Sequence, residues 1–513
     1  MTSPYSETAY VDDVRSGASI QELLSTAARE RSRDRYVQMG DDELDIGQLA
    51  TVVEATQHRL LANGLRPGDR VAVMLPNHIG HAVLVLALLC LRIVWVPVNP
   101  RLRGRPLAHQ LRSSDPSLVV VDEAFRDKVA DIDAPVVAWD GSLSAGFHTP
   151  SAARPTTGRA PTADDVVSVM YTSGTTGPAK GVQVTDRMLR AAALGAAITS
   201  TPRDGDVFLL WEPLCHVGGA QVLLLPLLRP VGIAMVERFS VSRFWGQAAA
   251  LGATHIHHLG GILPMLLSRP PHDAERRHRV RVSWGGGMTA QAWHAAEKRF
   301  GITVRECYGM TEASSISTYN DVGAEHGIGR AVPYFDVQVH DDAGNEVPHG
   351  TTGEIVLRQR VQGLVTPGYL DDPEATRAAW RDGWWRTGDA GRVLDGSLHY
   401  AGRLRDSLRH RGENVSAWEV ESVVNTHPAV AESALVGVPA PGGEQDLLLF
   451  VLPAVDRRVD PARLLSWCAD RLASYQVPRY VRTIERFPRT ASERVAKTRL
   501  PRDLDHCYDG CPS

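Results

Sequence analysis

Tyr171-Thr172-Ser173-Gly174-Thr175-Thr176-Gly177-Pro178-Ala179-Lys180-Gly181-Val182 follows directly on the apolar run that begins at Val166. A strand that runs into glycines, hydroxyls and a single cation is suited to holding an anion. Gly174, Gly177 and Gly181 let backbone N–H groups approach closely, Thr172, Ser173, Thr175 and Thr176 add hydroxyl donors, and Lys180 brings a compact charge. The segment reads as a polyphosphate cradle. It is not a Walker A loop, because Gly177 is followed by Pro178 and Lys180 by Gly181. The competing reading is a flexible Ser/Gly/Thr surface turn. Length and order favour the cradle, and so does residue usage: Lys occurs only at positions 128, 180, 298 and 497, so 51 of the 55 basic residues are Arg. A Lys kept at this point runs against the habit of the chain.

Outward from the loop, strand and helix patterns alternate. Arg70 to Leu75 reads as a strand closed by Pro76, residues 79–91 as a buried helix, Ile93 to Val98 and Leu118 to Val121 as further strands, and Val166 to Tyr171 as the strand feeding the loop. Such alternation predicts an α/β fold with parallel sheets covered by helices and ligands at the carboxyl ends of the strands. The Ser/Ala/Gly/Pro/Thr-rich stretch 141–163 reads as a loop or subdomain joint. Beyond about residue 390 the texture changes. Gly391 to Tyr400 has a hairpin signature around Asp395-Gly396, Ser416 to Glu419 matches a capping box, Val430 to Val438 is strand-like, and 460–473 has helical periodicity. The expected layout is a large domain over 1–402, with mixed sheets layered against helices, and a small α+β domain over 403–513. No internal repeat is visible.

Composition sets the outer bounds. At 513 residues the chain is long enough for several domains. With 43% hydrophobic and 22% charged residues it has the profile of a globular protein. A formal charge of -4 gives no global field for nucleic acid or an anionic membrane. The six Cys form no C-x-x-C pair, which predicts reduced thiols and a cytoplasmic setting. The amino terminus shows no secretory signal, and the apolar run Ala82 to Leu91 is far below the roughly 20 residues of a membrane span. Composition says nothing of oligomeric state, and the tail from Asp503 to Ser513 matches no pattern.

The cradle and a series of further blocks resemble the adenylate-forming superfamily of acyl-CoA synthetases, peptide-synthetase adenylation domains and luciferases. The blocks occur in the family's order: Cys215-His216-Val217-Gly218-Gly219, Tyr308-Gly309-Met310-Thr311-Glu312, Thr387-Gly388-Asp389, Gly402 to Asp406, Arg411 to Val415, and Pro488-Arg489-Thr490. The segments 237–245 and 412–419 resemble the crotonobetaine/carnitine-CoA ligase-like branch. The resemblance implies ATP- and Mg²⁺-dependent adenylation of a small-molecule carboxylic acid, with release of pyrophosphate and then acyl transfer to coenzyme A. It implies that 172–181 clamps the β/γ-phosphates. It also implies that Thr311 and Glu312 bind the α-phosphate and hold Mg²⁺, a hard ion suited to carboxylate oxygen. Tyr308 would stack on adenine beside Gly285, Gly286 and Gly287, Asp389 would take both ribose hydroxyls, and Arg403 would reach ribose or phosphate. His216 would gate the acyl pocket, with a satisfied core histidine as the competing reading. The segment from His255, His257 and His258 through Gly260-Gly261 would line that pocket. Metal binding by the three histidines is disfavoured, because the family has no zinc there.

The chain departs from the family in its last block, usually Pro-Arg-Thr-x-x-Gly-Lys, whose Lys bridges carboxylate and α-phosphate. Here Glu493-Arg494 stands in place of Gly-Lys, with Lys497 three residues on. Arg494 may not be equated with a point ammonium, since a guanidinium is a planar fork. Three readings stand: Arg494 contacts the α-phosphate, Lys497 swings in, or adenylation is impaired or turned to an unusual substrate. Arg405 occupies the family's hinge position. Alternatives to coenzyme A are a carrier-protein thiol or an amine, including nitrite-activating diazo formation, and a degenerate nucleotide-binding homologue. With no carrier domain evident after residue 500, a multimodular synthetase is not expected.

Overall fold

The computed structural model describes residues 6–139, 162–172, 179–404, 407–410, 413–440, 445–472, 474–490 and 494–510. The 173–178 part of the cradle, most of the 141–163 joint, and the Arg405 and Gly412 positions lie outside these residues, as do the Ser416 and Glu419 side chains.

The expected α/β layering is present. A nine-stranded sheet places Arg35–Met39, Gly232–Met235, Val207–Leu210, His255–Leu259, Val282–Gly286 and Thr303–Tyr308 side by side in parallel, with antiparallel strands at both edges. A six-stranded sheet runs in parallel through Val136–Ala138, Leu118–Val121, Arg70–Met74, Val94–Pro97 and Val166–Thr172, and ends on antiparallel Lys180–Thr185. Two helices, Asp186–Ser200 and Val217–Leu228, are buried along most of their length beside these sheets. Ile79–Leu91 is also buried on nearly every side, which explains a sequence without an apolar stripe. One continuous core joins residues of both sheets to these helices.

The third sheet of the large domain is antiparallel and contains the hairpin read at Asp395-Gly396. Trp384–Leu394 pairs with Ser397–Arg403. Both turn residues have left-handed φ, 48° and 75°, the type I′ requirement met by Asp-Gly. The small domain follows, built on a sheet of Val430–Pro439, Gln445–Pro453, Tyr480–Thr483 and Tyr508–Asp509, with apolar clusters on both faces. Its helix Pro461–Ala469 is shorter than the 460–473 periodicity predicts. The tail has a structural use. Tyr508–Asp509 closes the sheet edge, and the Asp509 carboxylate lies 3.1 Å from the Arg479 guanidinium.

Gly285 shows how tightly the central strands are drawn together at their carboxyl ends. A β-carbon there would lie 1.8 Å from the His258 carbonyl oxygen. Gly285→Ala must part the two strands, and thermal unfolding is expected to report a loss of at least about 1–3 kcal/mol. An unchanged melting temperature would contradict this close approach.

Candidate active site

Three sheets and the small domain meet at the carboxyl edge of the nine-stranded sheet. Tyr308 ends one of its strands, and its hydroxyl donates to Asp389 Oδ2 at 2.7 Å. Asp389 comes from the antiparallel sheet. It is only 5% exposed, and its backbone N–H is held by the Thr387 hydroxyl, which donates in turn to Ile355 O. Arg403 Nε lies 3.3 Å from Asp389 Oδ1. Burial raises the Asp389 pKa, while Arg403, the Tyr308 hydrogen bond and the charge of Arg494 pull it down. Arg494, exposed on the small domain, is thus within electrostatic reach of Asp389.

Glu312 sits in the short turn Thr311–Ala313 and is almost wholly buried. Burial raises its pKa, and it feels the charges of both Arg403 and Asp389. The Tyr369 hydroxyl donates to its Oε1 at 3.0 Å. The same Tyr369 ring lies under Lys180, whose Nζ is 4.9 Å from the ring centroid and 4.0 Å from Asp372 Oδ2. Lys180 and Thr172 face each other across the antiparallel ladder that forms the stem of the cradle. Sequence reading missed Tyr369. The signal available was an aromatic in a Thr366-Pro367-Gly368-Tyr369 turn, unremarkable without the tertiary bridge that sets it opposite Val182.

Gly286 ends its strand next to the strand that ends on Tyr308, and Gly287 follows it. Gly287 and Met288 donate their backbone N–H groups to Glu306 Oε1, at 2.5 and 3.2 Å. Glu306 is fully buried, its Oε2 accepts no hydrogen bond from the described residues, and desolvation pushes its pKa up to about 8. This anchor was also not read from the sequence.

The remaining candidates separate. His216 is the N-cap residue of Val217–Leu228, with Nε2 3.4 Å from Asn99 Nδ2. Lys497 pairs with Glu421 Oε1 at 2.8 Å, inside the small domain. The three histidines take different partners. His255 stacks on Phe208, His258 contacts the Ser283 hydroxyl at 2.9 Å from the opposite face, and His257 Nδ1 lies 2.5 Å from Glu212 Oε2. Among the described residues no group of three His, Cys, Asp or Glu is placed to hold a metal ion.

The described part of the site joins the Thr172/Lys180 stem of a hairpin, a buried acid beside a tyrosine, and a second buried acid fixed by Tyr369. The chain belongs to the AMP-binding enzyme family: the family pattern matches residues 24–370, and the pattern of the AMP-binding enzyme C-terminal domain matches residues 419–494. It is similar to the sulfoacetate–CoA ligase of Cupriavidus necator, with 34% identity over 473 residues that cover 89% of this chain and 92% of that protein. It is also similar to the crotonobetaine/carnitine–CoA ligase of Salmonella paratyphi A, with 28% identity covering 85% and 89% of the two chains. Among solved structures, ATP-bound MatB from Rhodopseudomonas palustris superposes with a TM-score of 0.82 at 25% identity, covering 94% of this chain and 98% of that one.

Glu306 yields a test of the local electrostatics. Its folded pKa, about 8, lies above the ordinary 4.5, so its contribution to stability is complete below about pH 4.5 and is lost as pH rises through about 8. Glu306→Gln keeps an acceptor for the two N–H groups and removes the titration. Melting curves across that window are expected to fall less steeply for the variant than for the native protein.

Proposed function

We propose that this protein is an AMP-forming acid–thiol ligase, which adenylates a carboxylic acid with ATP and then passes the acyl group to coenzyme A. The convergence of Lys180, Tyr308, Glu312, Asp389 and Arg403 from three sheets is the observation that carries this reading. Relatives named as CoA ligases support the acceptor.

The acid oxygen attacks the α-phosphorus in line, forming the acyl–phosphate bond as the bond to pyrophosphate breaks. Charge grows on the phosphoryl oxygens, so fixed donors and cations dominate the catalysis. The cradle residues Thr172, Ser173, Gly174, Thr175, Thr176 and Gly177, with Lys180, neutralise the β/γ-phosphates. Asp389 accepts both ribose hydroxyls, and Tyr308, fixed by its bond to Asp389, sets the plane of the base against Gly286 and Gly287. Thr311 donates to the α-phosphate. Glu312 would hold Mg²⁺: it offers a buried hard oxygen, and its other oxygen is fixed by Tyr369. When bound, Mg²⁺ supplies charge neutralisation across the phosphoryl oxygens.

Arg494 takes the place of the family's lysine at the α-phosphate. Its charge already acts on Asp389, whereas Lys497 is held by Glu421. In the second half-reaction the thiol attacks the acyl carbon and AMP departs. Rotation of the small domain, placed at 403–513 against a large domain over 1–402, exchanges the 488–497 loop for the 411–419 loop, with Arg405 at the hinge. His216 gates the acid pocket. No helix among the described residues is long and apolar enough to cross a membrane. Free thiols at Cys90, Cys215, Cys307, Cys468 and Cys507 fit a cytoplasmic setting. The Glu493-Arg494 replacement leaves a second reading, in which the adenylate goes to a carrier-protein thiol or an amine, or nitrite is the acid activated. A degenerate nucleotide-binding homologue would not be expected to keep Lys180, Glu312 and Asp389.

Pyrophosphate release over a panel of acids and nitrite, with and without coenzyme A, tests the reaction. Acid-dependent release and an acyl-CoA product are expected; release with no acid at all would refute it. Arg494→Ala is expected to lower that rate roughly 100-fold, the scale of removing one preorganised donor. Lys497→Ala is expected to cost less than about tenfold, its effect falling mainly on the melting temperature. The reverse order would return the role to Lys497.

A further inference from the structure

One buried polar pair takes no part in the chemistry above. Glu212 is 3% exposed and its Oε2 lies 2.5 Å from His257 Nδ1. Neither Oε2 nor His257 Nδ1 has a hydrogen-bond partner among the described residues, so the pair is a close contact rather than a hydrogen bond. The pair is firmly set: Asn77 Nδ2 donates to the Glu212 carbonyl oxygen at 2.7 Å, Trp211 Nε1 donates to His257 O at 2.8 Å, and the imidazole packs on Trp284 with ring centroids 4.3 Å apart.

Its position is tied to the acid side of the nucleotide site by two neighbours. A β-carbon at Gly218, two residues beyond His216, would lie 2.6 Å from Glu212 Oε1, so the carboxylate occupies space beside the first turn of Val217–Leu228. On the other side is Cys307, whose thiol feels the Glu212 charge and which immediately precedes Tyr308. The carboxylate therefore stands beside the helix that His216 caps, within electrostatic reach of the strand that ends on Tyr308.

A carboxylate in such a place is costly unless its oxygens are hydrogen-bonded. His257 faces one oxygen, Oε2, without hydrogen-bonding it, and Gly218 faces the other. A hydrocarbon acid would exclude water and leave that need unmet, whereas a hydroxyl or amino group on the substrate would meet it. We propose that Glu212, oriented by His257, is a specificity-determining residue of the acid pocket and selects carboxylic acids that carry a hydroxyl or amino donor over hydrocarbon acids of the same size. This rests on the acid-activating reading of the site.

The test is pyrophosphate release by the full chain with matched acids: propionate against 3-hydroxypropionate and 3-aminopropionate, and benzoate against its hydroxy and amino derivatives. The best donor-bearing acid is expected to exceed its hydrocarbon analogue in kcat/KM by at least about tenfold. Glu212→Leu is expected to lower that ratio at least about tenfold, and isosteric Glu212→Gln about three- to tenfold, by loss of the charge-assisted bond. If the Leu variant does not melt cooperatively, the Gln variant decides. Turnover of both sets with a ratio near one, or a ratio unmoved in the variants, overturns the role of Glu212 and leaves adenylation standing. Release with neither set in the native protein overturns the adenylation reading, and this inference with it.

Discussion

The hydrogen bond from Tyr308 to Asp389 is the contact on which the site depends. It joins the end of a parallel strand in one sheet to the middle of an antiparallel strand in another, so the two sheets share a fixed point where a nucleotide can be gripped from both sides. The two sheets also share one apolar core, in which Trp284 and Tyr319 of the first lie with Ile355 and Trp385 of the second. Burial makes the contact firm, because an Asp389 carboxylate removed from water holds strongly to the hydroxyl and guanidinium that remain.

The same constraint recurs around this edge. Glu306, Glu312 and Asp389 are all buried with raised pKa values, and each has its carboxylate anchored by neighbours that leave one face or oxygen uncommitted. Polyphosphate is itself highly charged, so acids here are tolerable only where cations and N–H groups outweigh them. Lys180, Arg403 and Arg494 match the three acids in number from three separate parts of the chain, and the N–H groups of Gly287 and Met288 add further donors.

Much of this was legible in the chain. The strand–helix alternation and the Asp395-Gly396 turn each reflect a local requirement, and local requirements leave local patterns. Tyr308, Glu312, Asp389 and Arg403 were readable because they sit in short blocks whose order resembles a known family. Tyr369 and Glu306 were not, since their importance comes from strand register and from backbone groups far away in sequence. The histidine run shows the difference well: its spacing indicated which residues share a face, but not that Asp206, Glu212 and Ser283 would claim them one by one. Helix 461–469 ends before its periodicity does, although Leu472 beyond it still packs against the same apolar cluster.

The role proposed for the arginine at 494 carries one further chemical consequence. A mixed anhydride is an acylating agent, and an amine held against it is a nucleophile whenever it sheds its proton. A guanidinium, protonated at any physiological pH, offers no such lone pair. An enzyme that steadies its intermediate with arginine is thus spared modification by its own product, and the side chain's charge does not fade in alkaline conditions.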